Sequence, residues 1–145
     1  MIIAENSSPA DPAFQAASLF ELACKDNEYS SCSQLASLYQ HGNILPQDDI
    51  QAIQLHRKSC DAGVIESCNQ LGIAYAKGLH KLPKNQRKAL YYFEKICNST
   101  SYAEPCGNAA LMHQQLADEL RLKQYAQKAC HRGSAMHCGY LRETK

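Results

Sequence analysis

The residues best suited to chemistry are eight cysteines in four pairs: Cys24 and Cys32, Cys60 and Cys68, Cys97 and Cys106, Cys130 and Cys138. Seven residues lie between the members of three pairs, and eight lie between Cys97 and Cys106. Three chemistries compete for such pairs. Zinc sites favour about two to four residues between ligands, and only the cluster Cys130, His131, His137 and Cys138 has a fitting ligand set. Dithiol redox centres favour Cys-x-x-Cys at a helix start, a motif the sequence lacks. Structural disulfides are the third. Eight cysteines allow on the order of a hundred pairings, but the repetition selects one, each cysteine with its partner across the short gap.

The spacing also says what must position the pairs. The first cysteines stand at 24, 60, 97 and 130, a period of a few tens of residues that marks stacked repeats, each burying its apolar face against its neighbours. Residues eight or nine apart do not share a helix face, where neighbours are three or four apart. They suit a helix end, a tight turn and the start of an antiparallel helix. Gly63, Gly133 and Asn27, each three residues past a cysteine, fit the left-handed residue that ends a helix. Thr100 holds that place after Cys97, so a distorted turn is expected there.

Between the junctions the pattern is helical. Residues 1–11 read as a loose lead-in, with Asp11-Pro12 as cap and first helical residue. Ala16, Leu19, Phe20 and Ala23 form one helix face; Leu35, Ala36, Leu38 and Tyr39 form the next, opened by Cys32 and stopped by Gly42. After a loop with Pro46, Asp48 caps a helix carrying Ile50, Ala52, Ile53 and Leu55. The second unit overlays on this: Cys68, Leu71, Gly72, Tyr75, Gly78, Asn85 and Ala89 take the places of Cys32, Leu35, Ala36, Tyr39, Gly42, Asp48 and Ala52. The third departs, with His113 at the tyrosine position, Leu116 at the glycine position and no loop proline, so its turn must be shorter. A final half-unit starts near Cys138. The fold class is all-α, a short α/α solenoid of antiparallel hairpins over 12–145 in about three and a half repeats, with a disulfide at each junction.

Fifteen basic and 14 acidic residues give a net charge of +1, and their mixing provides neither a nucleic-acid footprint nor a polybasic membrane anchor. No apolar run approaches the ~20 residues of a spanning helix. Met1-Ile2-Ile3-Ala4 is too short for a signal peptide. Since disulfides need an oxidising space, a removed leader and a periplasmic or secreted location are expected.

The pattern Leu-Gly-x-x-Tyr-x-x-Gly, a loop, Asp/Asn-x-x-x-Ala, then Cys-x-x-Gly-x-x-x-Ser-Cys resembles the SEL-like repeat family. The junction disulfides are similar to those of its Helicobacter cysteine-rich branch. The resemblance implies a binding scaffold with first helices on the concave side. Outward-facing positions there are Gln34, Ser37 and His41, then Gln70, Ile73 and Lys77, then Asn108, Leu111 and Gln115. Their amides, hydroxyl and isolated aliphatic groups suit a protein or peptide partner, such as a toxin sequestered by an immunity protein or a host factor. No cofactor or metal is expected, and a monomer is. The resemblance also implies weak β-lactam or peptidoglycan-fragment binding or hydrolysis, and it permits an assembly factor of the mitochondrial intermembrane space. No serine has a lysine three residues on, as a serine β-lactamase requires, and the six histidines are scattered. The sequence therefore reads as a recognition protein and not as an enzyme.

Overall fold

The computed structural model describes residues 11–143, with side chains up to residue 139; the lead-in, except for Asp11, lies outside the described residues. Eight helices follow one another: α1 (Pro12–Lys25), α2 (Tyr29–His41), α3 (Asp49–Asp61), α4 (Ile65–Lys77), α5 (Gln86–Ser99), α6 (Ala103–Gln115), α7 (Glu119–His131) and α8 (Ala135–Glu143). No strand occurs among the described residues. They divide into two units, one up to Leu71 with Leu79–Leu82 and one of Gly72–Gly78 with the residues from Pro83 on.

In the first unit α1 packs on α2 and α2 on α3. Ala17, Leu35 and the loop residue Leu45 form a closed core, with Phe20, Leu38, Tyr39 and Leu55 packed around it. In the second unit α5, α6, α7 and α8 pack each on the next. Its core is built from Tyr75, Leu90, Phe93, Ile96, Met112 and Tyr125, with Ala89, Ala109, Ala110, Ala126 and Ala129 where helices come close. Gly72 shows how close: a Cβ there would come within 2.8 Å of the Phe93 ring.

All four cysteine pairs are disulfides, joining α1 to α2, α3 to α4, α5 to α6 and α7 to α8. The second cysteine sits one turn inside its helix rather than opening it: α2 begins at Tyr29 and α4 at Ile65. Asn27, Gly63 and Gly133 take positive φ of 65°, 98° and 104°. At all three turns the next N–H closes a 6→1 bond: Glu28 to the Ala23 carbonyl, Val64 to Ser59 and Ser134 to Ala129. This left-handed turn satisfies the last helical carbonyls.

The α5–α6 junction is built differently. Thr100 is extended (φ −133°, ψ 175°), and side chains cap the helix end in place of a left-handed residue. Ser99 Oγ donates to the Lys95 carbonyl and Thr100 Oγ1 to that of Ile96. Arg132, at the end of α7, donates to the carbonyls of Cys97 (2.8 Å) and Tyr102 (3.2 Å) and reaches Cys106 Sγ at 2.8 Å.

The repeats share one further bond. The N–H of each cap residue, Asp48, Asn85 and Asp118, donates to the carbonyl of Tyr39, Tyr75 and His113 respectively, at 2.8 to 3.0 Å. The side chain of each cap then accepts an N–H three residues on. His113 is thus the structural equivalent of the tyrosines, and the third turn is short as its missing loop implies. Its left-handed residue is Ala117 (φ 57°), one place beyond Leu116.

Candidate functional site

Ile73, Lys77, Asn108, Leu111 and Gln115, five of the nine outward-facing residues named from the sequence, line one open cleft in the second unit, of about 390 Å³. Phe93 (3% exposed) and Met112 (6%) are its buried apolar lining, while Leu111 is 48% exposed. Ala76, Lys84 and Glu104 complete it. The α4 residues come from its last turns, and those of α6 recur at 104, 108, 111, 112 and 115, the three- and four-residue steps of a single helix face. Gln115 Oε1 accepts from Gln86 Nε2 at 2.8 Å, which orients its carboxamide. No ion pair involves Lys77, Lys84 or Glu104 among the described residues.

Such a lining can seat an apolar side chain against Phe93 and the adaptable thioether of Met112. The carboxamides of Asn108 and Gln115 each offer both donors and an acceptor to a peptide backbone. Lys84, Glu104, Phe93 and Met112 were absent from the outward-facing set. Glu104 lies four residues before Asn108 on the same helix, a spacing that would have found it. Phe93 belongs to a second helix and has no such signal.

Gln34, Ser37, His41 and Gln70 lie in the first unit. Gln34 and His41 are exposed, and Ser37 and Gln70 half-buried. Ser37 Oγ donates to the Ser33 carbonyl, and His41 Nδ1 lies 2.6 Å from the Ser37 carbonyl oxygen. His41 therefore meets the backbone of Ser37 and not its hydroxyl, so it does not activate that serine. A serine–histidine pair exists elsewhere, and no motif marks it in the sequence. His56 Nδ1 lies 2.9 Å from Ser67 Oγ, which donates to Ser33 Oγ at 2.9 Å. His56 and Ser67 are fully buried and Ser33 nearly so, which closes the pair to any substrate. Burial, followed by the nearby His80, pulls the His56 pKa down to about 4. Its Nε2 has no hydrogen-bond partner among the described residues.

His113 is also buried, with Nε2 2.6 Å from Glu94 Oε1, Nδ1 3.9 Å from Asp118 Oδ2, and its ring stacked on Tyr125. Cys130 and Cys138, the metal-ligand candidates, are joined to each other. No group of three or more potential metal ligands is assembled among the described residues. No described helix is long and apolar enough to cross a membrane.

The fold and cleft define a helical-hairpin repeat protein clamped by disulfides at its junctions. Residues 30–64 and 65–101 each match the Sel1 repeat, and through these two repeats the chain belongs to the Sel1 repeat family. Cytochrome c oxidase assembly factor 7A of Xenopus laevis is 32% identical over 85 residues, 57% of this chain and 36% of that protein. The chain thus spans about a third of the length of the curated relatives it matches. A Sel1 repeat protein from Oxalobacter formigenes superposes with a TM-score of 0.73 at 18% identity, over 87% of this chain and 96% of its own. A protective antigen of uropathogenic Escherichia coli strains, displaying an SLR fold, also gives 0.73, at 19% identity over 88% of this chain and 28% of its own. These two structures bear on the fold.

Proposed function

We propose that the protein is a disulfide-stabilised recognition scaffold that binds a protein or peptide segment in an oxidising compartment. The observation that carries this is the cleft. Residues named as outward-facing from repeat position alone converge there on a buried apolar lining. The four junction disulfides support both the oxidising compartment and a place beside the cysteine-rich branch the sequence resembles. Catalysis has less support, since Ser37 and His41 are not paired through the hydroxyl. Nitrocefin turnover that disappears with Ser37→Ala and His41→Ala would return it.

A photo-crosslinking residue placed at Leu111, in cells that make the protein, is expected to give discrete adducts absent when the same residue replaces Lys123. Equal labelling from both positions, or none from Leu111, would count against the cleft. The relatives' name favours a second reading, an assembly role for cytochrome c oxidase in the mitochondrial intermembrane space. Loss of the protein would then lower the amount of assembled oxidase on native gels, and unchanged oxidase would remove that reading.

A further inference from the structure

We propose that the cleft takes an extended peptide segment of mixed charge: an acidic residue at one end, a basic residue at the other, and an apolar side chain between them. The proposal rests on the recognition reading and specifies its ligand. Its ground is the placement of the three charges around the lining, each without an ion pair among the described residues.

Side-chain contacts give the register. Gly72 faces Phe93 and Lys88 lies over the Tyr75 ring, so α5 runs antiparallel to the end of α4. Glu94 meets His113 and Gln86 meets Gln115, so α5 also runs antiparallel to α6. The end of α4 and α6 are therefore parallel, and Lys77 comes level with Gln115. Lys84 belongs to the same end, because its backbone nitrogen lies 3.2 Å from the Cβ position of Gly78, the residue after Lys77. Glu104 is in the first turn of α6, and the rise from 104 to 115 carries it about 16 Å from that end.

The cleft thus has a cationic end and an anionic end with apolar groups between them. An extended chain advances about 3.3 Å per residue, so it spans that interval in about five residues. Apolar anchoring comes from Phe93, Met112, Ile73 and Leu111. The order of charge sets the direction in which the segment lies, because a reversed segment would put like charges together.

The test is panning of a displayed random heptapeptide library against the whole protein with its disulfides intact, followed by fluorescence polarisation with the enriched peptide. The expected peptides carry Asp or Glu and Lys or Arg about four to six positions apart, with an aliphatic or aromatic residue between. The Lys77→Glu/Lys84→Glu variant should bind the peptide about tenfold more weakly. Adding Glu104→Lys should shift preference to the peptide with its charges exchanged, a gain that misfolding cannot produce. Enriched peptides without this charge order that still fail to bind Leu111→Asp would overturn the inference and leave recognition by the cleft standing. Peptides that bind every variant equally would overturn the cleft as their site. An absence of enrichment over the bare matrix would overturn both the inference and the recognition reading.

Discussion

Acidification from pH 8 to pH 4 is expected to destabilise the first unit through His56. Because Ser67 Oγ donates to Ser33 Oγ, we assign the imidazole proton to Nδ1, where Ser67 accepts it, leaving the lone pair on the unpartnered Nε2. A second proton would place a charge, and an N–H without an acceptor, in a fully buried site. The folded pKa is accordingly about 4, against an ordinary 6.5. Between those values the unfolded chain binds the proton and the folded chain does not, so stability falls as pH drops through 6.5 and levels off below 4. For a single site this amounts to about 2 kcal/mol lost by pH 5 and about 3 kcal/mol by pH 4. Urea unfolding followed by helical circular dichroism, with disulfides intact, measures it in the native chain and in His56→Asn. Asparagine keeps a donor near Nδ1 and does not titrate, so other groups cancel in the difference between the two. Equal pH dependence in the two proteins would refute the reasoning.

Ala117→Gly relieves a left-handed residue with a side chain (φ 57°), and should stabilise by about 0.5–1 kcal/mol in the same urea assay; a loss of stability would contradict the turn. Gly72→Ala drives a methyl into the Phe93 ring, and should cost about 1–3 kcal/mol while weakening peptide binding by displacing the cleft lining. A variant that melts and binds like the native chain would show that the two helices part easily. Arg132→Ala removes charge-assisted bonds to the Cys97 and Tyr102 carbonyls, and should cost about 1–3 kcal/mol. Arg132→Lys should recover only part of this, since both carbonyls are reached by Nη1 at the tip of the long arginine side chain and the shorter lysine falls short of that point. Full recovery by lysine would mean that charge alone matters there.

Junctions were legible in the sequence because their causes are local. A cysteine, a residue tolerant of positive φ three places on, and a second cysteine at fixed spacing describe the whole turn, and Asn27, Gly63 and Gly133 behave alike. Helix starts were less legible. Tyr29-Ser30-Ser31 has no apolar period, so the turn before Cys32 gave no signal. His56 could have been placed, since Ala52, Ile53, His56, Ser59 and Cys60 recur at helical spacing and all are buried. Its partner Ser67 lies across the junction and has no such signal. The Arg132 bonds were beyond reach for another reason. They join positions 35 and 30 residues apart, and only the packing of α5, α6 and α7 brings a long side chain from one helix end to another.

That cross-repeat bond explains how the irregular junction can serve a cleft. Three junctions end their first helix with a left-handed turn that closes on itself, so the next helix starts at a place set locally. At Thr100 the chain is extended instead, and the disulfide spans one more residue. Left to its own bonds, this turn would hold the start of α6 less firmly than its counterparts. Arg132 ties it to the end of α7, gripping the last carbonyl before α6 and the sulfur of Cys106. Glu104 lies between those two points, and Asn108 two residues beyond the sulfur. The anionic end of the cleft is therefore positioned by a contact from the following repeat, whereas Lys77 and Lys84 follow from the α4 end and its loop. A shift of α6 along its axis would change the distance between the charged ends while leaving each end intact, and the Arg132 bonds to Tyr102 and Cys106 oppose such a shift.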